Sequence, residues 1–200
     1  MTNILKSAGI LTVAVLFILI GASFDAAAHG FAQIPAGGFL SGFIHVFGGF
    51  DHILALIAVG VWSSQHGGKV ERWMPAVFAL VMIHGAIMAS AGQALPAVDV
   101  GMAASVATLG VMLAASLTLR LPSAFFLVSV FAMFHGFSHG TQLAEASDAV
   151  GVGAGLIAAT ILLQGTGIWL GRMIKQHQFP VLARGLGFGC AIAGVFLLAT

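Results

Sequence analysis

Histidine and aspartate recur at two places in an otherwise apolar chain. These are His45-Val46-Phe47-Gly48-Gly49-Phe50-Asp51-His52 and Phe134-His135-Gly136-Phe137-Ser138-His139-Gly140. Imidazole nitrogens and carboxylate oxygens are ligands for borderline divalent metal ions such as Ni²⁺ and Zn²⁺. Both stretches lie within segments apolar enough to cross a bilayer, where an ionisable side chain costs about 2.5–3.5 kcal/mol even on insertion-based scales. Only 6% of the residues are charged, so groups kept at such positions imply a use. The donor types point to handling a metal ion.

Spacing refines this. His135 and His139 are four apart, which places them on one face of a helix, a turn apart, as a pair able to chelate one ion. His45 and His52 are seven apart, again on one face, but about 10.5 Å apart along an ideal helix. They share an ion only if the helix is distorted, and the paired Gly48-Gly49 between them is a recognised kind of kink site. Without a kink they are successive stations on a path. Asp51 falls about 120° round from His45 on an ideal helix, so it either ligates or fixes an imidazole tautomer from behind.

The elements that must position these groups follow from composition. The 200 residues are 60% hydrophobic with 27 glycines and no tyrosine, and mean hydropathy is +1.08. The chain therefore reads as an all-α integral membrane protein. Six segments of 18 to 24 residues are long enough to span: Phe39–Trp62, Met74–Ala91, Val98–Leu117, Ser123–Gly140, Val150–Gly171 and Val181–Thr200. A six-helix transmembrane domain over 29–200 is expected. A net charge of +1 gives no reason to expect a nucleic-acid partner, and the bilayer is the expected one. The lone Cys190 excludes a disulfide within one chain. No His-Glu-x-x-His occurs, which argues against an intramembrane metalloprotease; capture and translocation of an ion, rather than the action of an enzyme, is expected.

The first 28 residues read as a cleavable signal peptide. Lys6 supplies the positive n-region, Ile10–Ile20 the apolar core and Ala26-Ala27-Ala28 the small-residue cleavage site. Cleavage after Ala28 makes His29 the first mature residue, whose α-amino group and imidazole chelate a metal together. After the signal, Lys69, Arg72, Arg120, Arg172, Lys175 and Arg184 all fall on one side of the six segments. The positive-inside rule makes that side cytoplasmic, and puts both mature ends in the periplasm of a bacterial inner membrane. In this topology His45, Asp51, His84, Asp99, His135 and His139 lie between the midplane and the periplasm, with Asp51 and His52 nearest the middle. His29, His45, Asp51, His52, Asp99, His135 and His139 are the expected metal ligands. His84, Glu145 and Asp148 are weaker candidates, while His66 and His177 read as solvated residues of cytoplasmic loops.

The two motifs, in order and in register with the segments, resemble those of the HupE/UreJ family of small nickel permeases associated with hydrogenase and urease gene clusters. The first motif is similar to the family's His-Pro-x-x-Gly-x-Asp-His, followed by Ala55-Leu56-Ile57-Ala58-Val59-Gly60. The second matches Phe-His-Gly-x-x-His-Gly, and Asp99 corresponds to an acidic residue before the third helix. Val46 replaces the usual proline, and Gln164 stands where a histidine is common in the fifth helix. The resemblance covers nearly the whole mature chain. It implies a permease that brings a divalent metal from periplasm to cytoplasm for metalloenzyme maturation. The cargo is expected to be Ni²⁺, with Co²⁺ and Zn²⁺ as alternatives, and no cofactor is expected to be permanently bound. The competing readings are a non-transporting metal-binding accessory or sensor protein and a haem-binding electron carrier with histidine axial ligands.

Overall fold

The computed structural model describes residues 37–199, so the expected signal peptide and His29 lie outside the described residues. The described residues form eight helices and no strand: α1 (Phe39–Gly48), α2 (Phe50–His66), α3 (Gly68–Ser90), α4 (Val98–Ala114), α5 (Leu121–Ser138), α6 (Gly140–Glu145), α7 (Ala149–Gln176) and α8 (Pro180–Ala199). Four of them, α3, α5, α7 and α8, are long and apolar enough to cross a membrane, and α1 with α2 adds a fifth if that bent pair is one span. At 17 residues, α4 is apolar but shorter. The described residues are thus all-helical, in a multi-pass membrane protein. Its outer surface carries Leu80, Ile87, Phe126, Leu162, Trp169 and Phe196 exposed, as a lipid-facing wall requires.

The expected segments differ from the helices in three places. The first is broken: Gly49 is extended (φ −104°, ψ 117°), and the axes of α1 and α2 meet at 88°. Glycine is a poor helix former, and the Gly48-Gly49 pair concentrates that weakness at one point. The fourth segment ends at Ser138, and α6 occupies part of the connection expected over Thr141–Ala149. The connection expected over Ser63–Trp73 is almost entirely helical, with only Gly67 between α2 and α3. Gly67 and Gly68 have φ of 69° and 56°, a left-handed backbone that glycine adopts without the Cβ penalty.

The core is organised around α2, which packs on α1, α3, α4, α7 and α8. Its residues Leu54, Leu56, Val59 and Trp62 are fully buried. Small residues set the helix spacing. A Cβ at Gly60 would meet the Gln164 carbonyl and Gly167 of α7, one at Gly136 the Met82 carbonyl of α3, and one at Gly187 the backbone of α4 around Ala114. In lipid, where apolar surface gains little by burial against another helix, such backbone approach supplies the packing attraction.

At the end of the bundle where the basic residues gather, polar contacts tie the helices together. Arg172 of α7 pairs with Glu71 of α3, and the Lys175 ammonium donates to the carbonyls of Ser64 and Gln65 at the end of α2. His66, expected as a solvated loop residue, is instead the half-buried last residue of α2. Its Nε2 accepts the Leu119 N–H at 2.9 Å, its ring packs on Trp62 at 4.3 Å, and the Trp62 indole donates to the Leu117 carbonyl at 2.9 Å. Together they fasten the α4–α5 connection. His177 is exposed and stacks on Phe179.

Candidate metal centre

Four histidines from three elements meet where α1 breaks into α2. His45 lies in the last turn of α1, His52 in the first turn of α2, His135 in the last turn of α5, and His139 is the residue between α5 and α6. The 88° turn at Gly49 shortens the distance that a straight helix would impose between His45 and His52, and their ring centroids stand 6.4 Å apart. The His139 ring is 5.1 Å from His45 and 4.9 Å from His52, and His135 is 5.5 Å from His52. His52 touches the other three. Imidazoles bound tetrahedrally at the usual Zn–N distance of about 2.0–2.1 Å have centroids roughly 5 Å apart, and the His139 spacings come near that value while His45 and His52 stand farther apart.

Neighbouring groups settle which nitrogens are free to bind. The His135 Nδ1 lies 2.9 Å from the Phe131 carbonyl; a carbonyl only accepts, so Nδ1 carries the proton and Nε2 the lone pair. The His52 Nδ1 lies 2.9 Å from the Asp51 carboxylate and donates to it, which leaves Nε2 again as the donor atom for a metal. Asp51 therefore stands behind His52 and sets its tautomer. A Cβ at Gly49 would collide with the His52 Nδ1 and the Asp51 Oδ1, so glycine there makes room for the pair as well as for the turn. The Nε2 atoms of His52 and His135 and both ring nitrogens of His139 are buried without a hydrogen-bond partner. An unsatisfied buried nitrogen is unfavourable in the absence of a ligand, and uncharged imidazole lone pairs fit a divalent cation. The rings still meet edge-on, and among the described residues no three His, Cys, Asp or Glu side chains stand ready to hold a metal ion.

The second motif places its histidines through its glycines. Gly136 lies on Met82 and Gly85 of α3, and Gly140 on Ala89, so α5 and α6 close onto α3 and carry His135 and His139 inside, with 1% and 0% exposure. His45, by contrast, is exposed. The group thus runs from an accessible imidazole to two buried ones. Phe78 of α3, which nothing in the spacing singled out, closes the far side with its ring 5.8 Å from His135.

The remaining candidates are not brought into this group. His84, Asp99 and Glu145 are exposed, and Asp148, also exposed, accepts the Gly151 N–H and caps α7. His135 and His139, expected a turn apart on one helix face, both approach His52, with α5 stopping at Ser138 between them.

Comparison with known proteins agrees with the motifs. The family described as HupE / UreJ protein matches residues 16–197. The chain belongs to the HupE/UreJ family. Among its curated relatives, Protein HupE of Rhizobium leguminosarum bv. viciae is 40% identical over 171 residues, which cover 86% of this chain and 90% of that protein. No solved structure matches the chain.

Proposed function

We propose that this HupE/UreJ protein is a permease that takes a divalent transition-metal ion, foremost Ni²⁺, across the bacterial inner membrane into the cytoplasm for metalloenzyme maturation. The observation that carries the reading is the group of four imidazoles, three of them with buried unpartnered nitrogens, graded from exposed His45 to buried His135 and His139. Permeation needs binding strong enough to replace hydration water yet weak enough to release it, and an open set of neutral ligands suits that better than a closed cage. Six crossings, with α1 and α2 as one broken entry span and α4 as a short one, accord with the distribution of basic residues. The group then lies towards the periplasm, which a removed signal and His29 at the mature end would also face. Nothing in this reading is catalytic.

Purified protein reconstituted into vesicles without partners is expected to take up Ni²⁺, with Co²⁺ and Zn²⁺ as competitors, and His139→Ala to abolish most of that uptake. Binding of Ni²⁺ without any uptake would favour an accessory or sensor role instead. A Soret band in the purified protein would favour a haem carrier.

A further inference from the structure

Buried hydroxyl groups elsewhere in the protein are hydrogen-bonded. Ser63, Ser64 and Ser105 donate to carbonyls of their own helices, and Thr160 of α7 donates to the Met82 sulfur of α3 at 3.4 Å. Among the glutamines, Gln65 and Gln142 are half-buried and each leaves only its amide oxygen without a partner, whereas Gln164 differs from both. Its side chain is 0% exposed, and both its amide oxygen and its amide nitrogen lack a hydrogen-bond partner. A polar residue inside a transmembrane bundle ordinarily serves as an interhelical hydrogen bonder. Gln164 serves no such purpose here, so its burial calls for a ligand.

The surroundings show which way it leads. Gly136, the residue after His135, abuts the Met82 carbonyl, and the His135 ring packs on Phe78, one turn before Met82. Met82 in turn receives the Thr160 hydroxyl, and Gln164 follows Thr160 by one turn on the same face of α7. The Gln164 backbone lies against Gly60, about 12 Å along α2 from His52 at the usual helical rise. From the four imidazoles, a line of polar and polarizable groups therefore continues through Met82 and Thr160 to Gln164, away from exposed His45.

We propose that Gln164, with Thr160 and Met82 beside it, is the next station for the cation after the histidine group, on its way to the opposite side. This rests on the permease reading. Amide oxygen and thioether sulfur are neutral donors that bind a divalent ion more weakly than imidazoles do together, so the ion is passed on rather than retained.

The test compares wild type, Gln164→Leu and Gln164→Glu in vesicles. It measures initial Ni²⁺ uptake per inserted molecule, Ni²⁺ binding by calorimetry and the thermal midpoint. Gln164→Leu removes the donor and an unsatisfied amide. It is expected to lower uptake about tenfold or more, as loss of a supporting metal contact does. Binding at the histidines should stay unchanged, and the midpoint should rise by roughly 2–4 °C. Gln164→Glu keeps the length and an oxygen donor but adds charge, so it is expected to bind one further Ni²⁺ per molecule and to release it slowly. Wild-type uptake with an undiminished Gln164→Leu rate overturns the station and leaves the permease reading intact; absence of wild-type uptake overturns both. Should the leucine variant fail to insert, unchanged stoichiometry and rate in Gln164→Glu overturn the proposal.

Discussion

At the scale of single residues, Asp51 reaches the proposed metal site through another side chain. It accepts the His52 Nδ1–H and thereby turns the Nε2 lone pair of His52 towards the other three rings. Groups that orient a metal-binding imidazole are worth about 10–100-fold in affinity or activity when removed. Asp51→Leu, which removes the acceptor, is expected to lower Ni²⁺ affinity by that order. Asp51→Asn, whose amide oxygen still accepts the same proton, should lose distinctly less. Equal losses in titrations of the two purified variants would make Asp51 a direct ligand whose charge matters. Imidazoles bind metal only when unprotonated, so Ni²⁺ affinity, read by titration, should fall once the medium is acid enough to protonate the group.

At the scale of elements, the break between α1 and α2 and the fastening at the far end of α2 have opposite requirements. At Gly49 a methyl group would meet the Asp51–His52 pair, whereas at Gly48 nothing lies within 4 Å. Gly49→Ala is therefore expected to weaken Ni²⁺ binding about tenfold or more through the displaced His52. Gly48→Ala, inside α1, should bind normally and gain about 0.5–1 kcal/mol in stability. Reversed titration and melting results would place the hinge elsewhere. At the other end of α2, His66→Ala leaves the Leu119 N–H without its acceptor and Trp62 without a ring partner. A loss of about 1–3 kcal/mol is expected, read as a lower thermal midpoint, while His177→Ala on the exposed surface should change the midpoint little.

For the whole molecule, the distribution of positive charge predicts that the α2–α3 end faces the cytoplasm and the α5–α7 connection faces outward. Exposed positions report this without interference from packing; Ser64 is buried and would resist labelling on either side. Lys69 and Ala144 are exposed. With Cys190, which is buried, as the background, Lys69→Cys should stay unlabelled by an impermeant thiol reagent in intact cells, and Ala144→Cys should react. The opposite pattern would reverse the direction of entry assigned to His45.

The residue types and their order carried the class of the protein: apolar segments of spanning length, basic residues confined to their ends, and two histidine motifs that identify the family. These are local properties, set by side-chain transfer energies and by chain neighbours, and so are legible in one dimension. The weak point at Gly48-Gly49 was legible for the same reason, since poor helix propensity is a local trait. What the pattern could not supply was which faces meet. Only the packed structure made His52 the contact shared by three other rings, set Phe78 against His135, and left His84, Asp99, Glu145 and Asp148 outside the group. The same packing moved His66 from an expected loop into an interhelical hydrogen bond and buried Gln164 without a partner. Depth in a membrane depends on position along the chain, but contact depends on helix rotation and crossing. Those are decided by where glycines let backbones touch, as at Gly60, Gly136 and Gly187, and by the 88° turn that no periodicity encodes.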